Sequence, residues 1–371
     1  MVARSMPIDR LSGILRRIRV LVVDDSALVR SLLTRILSED EQIEVVGTAA
    51  DAFVAREKIK ALQPDVLTLD IQMPRMDGLQ FLRNLMRLRP MPVVMCSTLT
   101  ASGAEITLAA LELGAVDFIT KPHIDVERGL QAYSGELIGK VKAAAGARVQ
   151  PLADATLDGA HAAQATSGSM VSRSSDQIIA MGASTGGTEA IRQVLSRLSA
   201  RCPGLLITQH IPRAFSQQFA ARMDACSALS VQEATDGALI QPGRAYIAPG
   251  DRHLLVKPDG AHFRCQLHDG PPVNHHRPSV DLLFDSMAQH LGARGVGVIL
   301  TGMGADGARG LRQMRSSGAY TIAQDEASSV VWGMPGAAVA AGAVDRILRI
   351  GDIAAALMAP RPPLAQGGTA Q

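Results

Sequence analysis

The sequence predicts an α/β protein of two domains, each built around a largely parallel β-sheet. Short apolar runs alternate with helical patterns over residues 19–142 and again over 176–358. Between them, residues 143–175 are rich in Ala, Gly, Ser, Thr and Gln. A chain of 371 residues is also too long for one ordinary core, since a domain usually has about 150 residues.

The N-terminal half contains five strand-helix units. Helices are predicted from Ser26, after Asp51 and from Gly78. The strand candidates are RVLVVDD, IEVVGTA, DVLTLDI, PVVMCST and AVDFITKP. This alternation predicts a doubly wound, five-stranded parallel sheet over residues 19–142.

Residues 143–175 have no periodicity and few large apolar side chains that could offset the entropy of ordering. We predict a flexible linker, although its Ala-rich start could continue the preceding helix. Residues 359–371 are rich in Pro and Gly and are predicted to be a disordered tail.

The C-terminal half, residues 176–358, also reads as α/β. Its strand candidates are DQIIAMG, GLLITQH, RAYIAPG, GVGVILTG and AYTIAQ. The segment HLLVKPDGAHFRCQL predicts a hairpin that turns at Asp259–Gly260. We therefore expect a mostly parallel sheet and one antiparallel hairpin.

Composition excludes several classes of protein. The 37 basic and 35 acidic residues give a net charge of +2, too small to draw the whole molecule onto nucleic acid or an anionic membrane. Four cysteines without a CxxC pair favour free thiols in a reducing compartment. No run of about 18 apolar residues is present, so we expect a cytoplasmic protein without membrane insertion. Nothing demands more than a monomer. Residues 1–18 could include a basic helix or be a translated extension.

A first cluster of polar residues follows the N-terminal strands. Asp24 and Asp25 end the first strand, Asp70 ends the third, and Lys121 follows the fifth. The carboxyl ends of strands in a doubly wound sheet converge on one crevice. A lone Asp there is usually a cap, but three carboxylates repel one another and need a cation. Oxygen ligands in an open site suit Mg²⁺.

The segments VLVVDDS and LDIQMPRMDG, the pair Ser97–Thr98 and the segment FITKP resemble the response-regulator receiver domain over about 120 residues. The resemblance implies a metal site at Asp24, Asp25 and Asp70, with Asp70 as the phosphate acceptor. It also implies Lys121 as a phosphoryl contact, Ser97 as the switch hydroxyl and Phe118 as the switch aromatic. A phosphoryl group on Asp70 would add roughly −1.5 to −2 charges. We therefore interpret this domain as a regulatory input that controls the second domain.

A second site begins at Ser184, which stands between an apolar strand and an amphipathic helix in QIIAMGASTGGTEAIRQVL. The Gly-x-Ser-x-Gly turn from Gly182 to Gly186 can expose a nucleophile near a helix N-terminus. The same residues could instead form a phosphate-binding turn or a helix cap. A general base is needed to distinguish these possibilities.

His210 follows the next strand and Asp306 follows GVGVILT, so both are expected at the same sheet edge as Ser184. The three groups support acyl transfer: Ser184 attacks, His210 carries the proton, and Asp306 fixes the imidazole tautomer. The chain order Ser, His, Asp differs from the Ser, Asp, His order of α/β-hydrolases. A lipase or esterase of that class is therefore disfavoured.

The segments GASTGGTEAI, ITQHIP, HRPSVDLLF and LTGMGADGARG resemble the catalytic domain of chemotaxis protein-glutamate methylesterases. The resemblance implies Ser184, His210 and Asp306 as a catalytic triad, with an oxyanion region at Thr185 and Met303. It implies hydrolysis of glutamate γ-methyl esters on chemoreceptors to methanol, and deamidation of glutamines there, without a cofactor for ester hydrolysis. A chemotaxis histidine kinase would be the phosphodonor.

Three histidines, His268, His275 and His276, lie near Asn274 but lack a regular metal-ligand spacing, which disfavours a metal site. In the resembled family this loop borders the active site. Arg277 and Ser279 are therefore interpreted as pocket or structural residues.

Two other functions compete with a receptor methylesterase. A DNA-binding output would require a compact basic helix-turn-helix, whereas residues 176–358 predict a larger sheet domain. A methylesterase retargeted to a non-chemotactic pathway, or an inactive regulatory module, is the second alternative. For regulation, we hypothesise that the unphosphorylated receiver packs over the Ser184 cleft.

Overall fold

The computed structural model describes residues 16–98, 100–121, 127–149 and 177–359. Two sheet-based α/β domains are present, as predicted. Residues 150–175 of the predicted linker lie outside the described residues. The same holds for residues 1–15 and for residues 360–371 of the predicted tail. The extent of the linker and the tail therefore stays a prediction.

The N-terminal domain has a five-stranded sheet in the order β2-β1-β3-β4-β5, and every neighbouring pair is parallel. This is the doubly wound sheet that the sequence predicted. Its strands are β1 (Ile18–Val23), β2 (Ile43–Ala49), β3 (Val66–Asp70), β4 (Val93–Ser97) and β5 (Asp117–Thr120).

The helices of this domain are α1 (Ala27–Ser38), α2 (Ala52–Leu62), α3 (Gly78–Leu88), α4 (Ala101–Glu112) and α5 (Glu127–Ala145). Ser26, Asp51 and Asp77 cap the first three helices, because their side chains accept hydrogen bonds from first-turn N–H groups. Helix α5 continues three residues into the predicted linker, since alanine has the highest helix propensity.

The C-terminal domain has a seven-stranded sheet in the order β14-β13-β12-β6-β7-β9-β8, again parallel throughout. Five strands match the prediction, and two short edge strands, β8 and β14, were not predicted. The strands are β6 (Ile178–Ala183), β7 (Gly204–Gln209), β8 (Ser230–Glu233), β9 (Arg244–Ile247), β12 (Gly295–Ile299), β13 (Tyr320–Gln324) and β14 (Arg346–Leu348).

The predicted hairpin is present as β10 (His253–Asp259) and β11 (His262–His268). Asp259 pairs with His262, so the loop is Gly260–Ala261, one residue later than predicted. Gly260 has a φ of 58°, a conformation that two-residue hairpin loops demand and that glycine adopts readily.

The helices of the C-terminal domain are α6 (Gly187–Leu195), α7 (Arg213–Ala225), α8 (Val280–His290), α9 (Ala308–Ser316), α10 (Met334–Ala340) and α11 (Ile350–Met358). A short 3₁₀ turn covers Gly292–Arg294. Among the described residues, no helix combines the length and apolar character needed to cross a membrane.

The two domains pack against each other through α4 and α7. One cluster of buried apolar side chains continues from the first sheet into the second domain. At this interface the rings of Phe118 and Phe215 have centroids 4.6 Å apart. Arg222 Nε lies 3.1 Å from Glu112 Oε1. The N-terminal domain therefore covers one side of the domain that carries Ser184.

Candidate active site and phosphorylation site

The carboxyl ends of β1 and β3 bring together the three predicted metal ligands. One carboxylate oxygen from each of Asp24, Asp25 and Asp70 lies within 4.8 Å of the others. Lys121 Nζ lies 2.9 Å from Asp24 Oδ2 and 2.8 Å from Asp70 Oδ2. An all-oxygen set of this kind fits Mg²⁺. Within the described residues this is the one group of three or more His, Cys, Asp or Glu side chains whose ligand atoms lie this close together.

The Asp70 carboxyl is almost fully buried. Burial raises its pKa, the hydrogen bond from Lys121 opposes this shift, and the charge of Asp24 adds to it. A divalent cation held by these oxygens would favour the charged, nucleophilic form of Asp70.

The two predicted switch residues are also buried. Ser97 ends β4, and its hydroxyl accepts a 2.7 Å hydrogen bond from Thr107 Oγ1. Phe118 lies in β5 with its ring against Phe215, and Lys140 Nζ lies 5.0 Å from its centroid. The predicted switch aromatic therefore contacts α7 of the C-terminal domain. The sequence offered no sign of this contact, because it joins residues of two domains.

Ser184 sits on a tight turn between β6 and α6. Its N–H donates to Thr301 O at 3.0 Å, and its carbonyl accepts from Gly187 N–H at 2.7 Å. Gly186 has a φ of 74°, and a Cβ there would lie 2.6 Å from Val330 Cβ. The predicted turn is present, and it requires glycine at position 186.

His210 directly follows β7, and its N–H donates to Ala183 O at 3.2 Å, which places its backbone beside the turn that carries Ser184. Its Nε2 lies 2.9 Å from Asp306 Oδ2. Its Nδ1 is buried and has no hydrogen-bond partner in the described part of the chain. Across the same residues, Ser184 Oγ makes no hydrogen bond to His210. In enzymes without substrate this bond is often long and closes only in the complex.

Asp306 is a buried carboxylate with five hydrogen-bond donors around it. Oδ2 accepts from His210 and from Val280 N–H. Oδ1 accepts from Asn274 Nδ2 and Ser279 Oγ, each at 2.8 Å, and from Asp281 N–H at 3.3 Å. Burial alone would raise the pKa of Asp306. The bonds and charge of His210, with the bonds from Asn274 and Val280, hold that pKa well below its usual range.

The segment after β11 supplies site residues whose roles the sequence did not assign. His276 stacks on His210, with ring centroids 3.7 Å apart and planes 12° apart. Burial and the neighbouring His210 lower the pKa of His276 to about 3. Asn274 and Ser279 hold Asp306, whereas Arg277 donates to the carbonyl of Gly270 at 3.1 Å. His276, Arg277 and Ser279 belong to the HRPSVD segment, and Asn274 lies two residues before it, so this segment was the sequence signal that could have found them.

The predicted oxyanion residues lie at the domain interface. Among the described residues, no hydrogen bond occupies the backbone N–H of Thr185 or of Met303. The Thr185 hydroxyl donates to Asp117 Oδ2 of β5 at 2.5 Å. A Cβ at Gly139 of α5 would lie 2.9 Å from Met303 Cε. Both residues are therefore in contact with the N-terminal domain, and Asp117 is a contact that the sequence did not reveal.

Comparison with known proteins assigns both domains. The model of the response regulator receiver domain matches residues 20–133, and that of CheB methylesterase matches 179–357. A protein-glutamate methylesterase/protein-glutamine glutaminase of Xanthomonas oryzae is 56% identical over 347 residues, which are 92% of this chain and 97% of that protein. The chain belongs to the CheB methylesterase family.

Other relatives of this family are similar over most of the chain. A protein-glutamate methylesterase/protein-glutamine glutaminase of Geobacter metallireducens is 54% identical, covering 91% of this chain and 94% of that protein. The CheB methylesterase catalytic domain of Thermotoga maritima, a crystal structure, is 35% identical over 49% of this chain and 97% of that chain, with a TM-score of 0.48. Because the CheB methylesterase model matches residues 179–357, a DNA-binding output in that half of the chain is not favoured.

Proposed function

We propose that this protein hydrolyses glutamate γ-methyl esters on the cytoplasmic region of chemoreceptors, releases methanol, and deamidates glutamines at the same positions. The observation that carries the proposal is the assembly of Ser184, His210 and Asp306 at one edge of the sheet, with Asp306 bonded to His210. The names of the relatives at 54–56% identity support the substrate.

The chemistry proceeds through an acyl-enzyme. Ser184 Oγ attacks the ester carbonyl and gives its proton to His210 while the carbonyl electron pair moves onto oxygen. The N–H groups of Thr185 and Met303 donate to that oxyanion, each typically worth ~3 kcal/mol. His210 returns the proton to the departing methoxide, and water then releases glutamate by the same steps. With glutamine the leaving group is ammonia.

The receiver site supplies the input. Asp70 accepts a phosphoryl group from a chemotaxis histidine kinase, and Lys121 contacts the phosphoryl oxygens. Asp24, Asp25 and Asp70 are the ligands that would hold Mg²⁺, which when bound shields the charge of the incoming phosphoryl group.

The receiver restricts access to the acyl-transfer site in the unphosphorylated protein. This part of the proposal is supported by its contacts with both oxyanion residues, through Asp117 to Thr185 and through Gly139 to Met303. The contact of Phe118 with Phe215 connects the switch aromatic to the interface. Phosphorylation that shifts Phe118 would weaken this packing and increase access.

Methanol release from methylated receptor fragments tests the proposed reaction. Wild-type protein should release methanol, and release should rise when a small-molecule phosphodonor and Mg²⁺ are added. Ser184→Ala should lower kcat by on the order of 10⁴ or more. Ser196→Ala, an exposed serine at the end of α6, is the matched control and should retain wild-type rates. A folded wild type that releases no methanol in any condition would contradict the proposed substrate.

A further inference from the structure

The orientation of the His210 ring decides which of its nitrogens can act as the base. Asp306 bonds to Nε2, and this carboxylate, whose pKa is held low, can only accept. Nε2 therefore carries the hydrogen in the neutral ring, and the lone pair is on Nδ1. In the more usual triad the aspartate binds Nδ1, and Nε2 is the base.

Nδ1 is the ring nitrogen that Asp306 does not contact. It is bonded directly to Cγ, so it lies close to the backbone of His210. That backbone donates to Ala183, the residue before Ser184. Nδ1 is buried and has no hydrogen-bond partner among the described residues, so its lone pair is free to accept a proton.

His276 covers one face of the His210 ring in a nearly parallel stack at 3.7 Å. A tilt of the His210 ring toward that face would bring it into collision with His276. The low pKa of His276, about 3, keeps this ring neutral at physiological pH. It therefore does not repel the imidazolium that forms on His210.

His276 is itself held by a two-residue turn. Its N–H and carbonyl both bond to Val273, at 2.9 and 3.0 Å. The central residues Asn274 and His275 have φ values of 52° and 67°, as a type I′ turn requires, and asparagine is favoured there. Because Asn274 also bonds to Asp306, the same turn fixes the two groups that contact the His210 ring.

We propose that His276 is a positioning residue that holds the His210 ring so that Nδ1 accepts the proton of Ser184. As the bond from Ser184 Oγ to the carbonyl carbon forms, the carbonyl electron pair moves to oxygen and the Oγ proton moves to Nδ1. When the bond from carbon to methoxide breaks, Nδ1 returns that proton to the methoxide oxygen. This inference rests on the proposed function. It adds that Nδ1 of His210 is the general base and that His276 acts by holding the His210 ring.

The ring nitrogens can be read directly by NMR on the full chain labelled with ¹⁵N-histidine, at a pH where His210 is neutral. His210→Gln identifies its signals. Nε2 couples strongly to both carbon-bound ring protons, whereas Nδ1 couples strongly to one. We expect the nitrogen shift of a protonated Nε2 and an unprotonated Nδ1. A protonated Nδ1 would overturn the assignment of the base, whatever the activity.

Two substitutions then test His276. His276→Phe keeps a ring against His210, and His276→Ala removes it. We expect His276→Ala to lower kcat by about 10-fold to 100-fold with little change in KM, as misplaced groups typically do. This variant should also show His210 signals of the second tautomer. His276→Phe should keep kcat within about 3-fold of wild type and show a single tautomer. His262 is exposed on the hairpin, and His262→Ala should change neither kcat nor the tautomer.

The outcomes separate the two proposals. The positioning role of His276 would be overturned if His276→Phe and His276→Ala lost kcat equally. It would also be overturned if His276→Ala changed neither the tautomer nor kcat. If Ala fails to fold, the Phe variant and the wild-type spectrum still decide. A wild type with the expected tautomer that hydrolyses no methyl ester would retain the ring assignment and reject the proposed substrate.

Discussion

At the scale of single residues, Asp306 has the most demanding environment in the site. Asp306 is 3% exposed, and its carboxylate accepts from five donors, four of which lie within residues 274–281. An asparagine at this position has one acceptor oxygen and would point an NH₂ group at some of these donors. The negative charge is therefore a structural requirement as well as a requirement of the triad.

Asp306→Asn should destabilise the C-terminal domain by about 2 kcal/mol or more at pH 7, because buried donors lose a charged acceptor. The folded-state pKa of Asp306 lies below its unfolded value near 3.9. Its stabilising contribution is therefore complete above that value and is lost as the pH falls toward the folded-state pKa. Urea midpoints should show a constant gap between wild type and variant from pH 7 to about pH 5, and a narrowing gap below about pH 4. A gap that widens in acid would contradict this assignment.

The grouping of Ser184, His210 and Asp306 could be predicted from the sequence because the strand ends of a parallel sheet share an edge. Ser184 and His210 directly follow β6 and β7, and Asp306 lies in the loop after β12. His276 and Asn274 could not be assigned in the same way. They act from a turn whose position depends on tertiary packing. The Asp117–Thr185 bond joins positions 68 residues apart and has no local sequence signal.

At the scale of elements, the turn between β6 and α6 that carries Ser184 depends on glycine for two separate reasons. Gly186 has a positive φ, and Val330 fills the space beside it. Gly342, at the end of α10, also has a positive φ, 65°, but a Cβ there would meet nothing within 4 Å. Both glycines therefore have a positive φ, but only Gly186 has a neighbouring side chain where a Cβ would lie.

Gly342→Ala should therefore cost about 1–2 kcal/mol, the penalty of a left-handed residue with a side chain. Gly186→Ala should cost a further ~1–3 kcal/mol, because the new methyl group overlaps a branched side chain, and it should also lower methanol release by displacing Ser184. Urea unfolding and initial rates measure both effects. Equal losses of stability in the two variants would show that Val330 does not constrain the turn.

Long apolar strands could be predicted from the sequence, whereas the two short strands β8 and β14 could not. β8 reads SVQE and β14 reads RIL, both at the edges of the sheet, so neither has the continuous apolar run of a strand buried on both faces. Their pairing depends on a neighbouring strand that is already in place.

At the scale of the whole molecule, the interface between α4 and α7 joins the domain that carries Asp70 to the domain that carries Ser184. Arg222 of α7 pairs with Glu112 of α4 across the domains. Arg213 belongs to the same helix but pairs with Asp251 of its own domain. These two arginines offer a matched test of whether the interface limits activity.

Arg222→Glu should raise methanol release in the absence of phosphodonor several-fold, because two carboxylates would then face each other and weaken the packing of the domains. Adding Glu112→Arg restores an opposite pair and should return the rate toward wild type. Arg213→Glu should leave it unchanged. Rates that stay at the wild-type level in all three proteins would contradict restriction of access by the receiver.

The five-stranded sheet and the grouping of Asp24, Asp25, Asp70 and Lys121 could be predicted from periodicity and from strand ends. Ser97 and Phe118 were identified only through the resemblance to receiver domains. The packing of one domain on the other was only a hypothesis from the sequence. It depends on shape and on pairs such as Phe118 with Phe215, which belong to separately predicted cores.

The central claim is a serine nucleophile at position 184 whose accessibility the receiver controls. The most direct measurement is the rate at which a fluorophosphonate probe labels the full chain, with the labelled residue located by peptide mass spectrometry. We expect labelling at Ser184 that becomes faster with phosphodonor and Mg²⁺, and no acceleration in Asp70→Asn. Labelling at another residue, or a Ser184 rate that phosphodonor does not change, would contradict the claim.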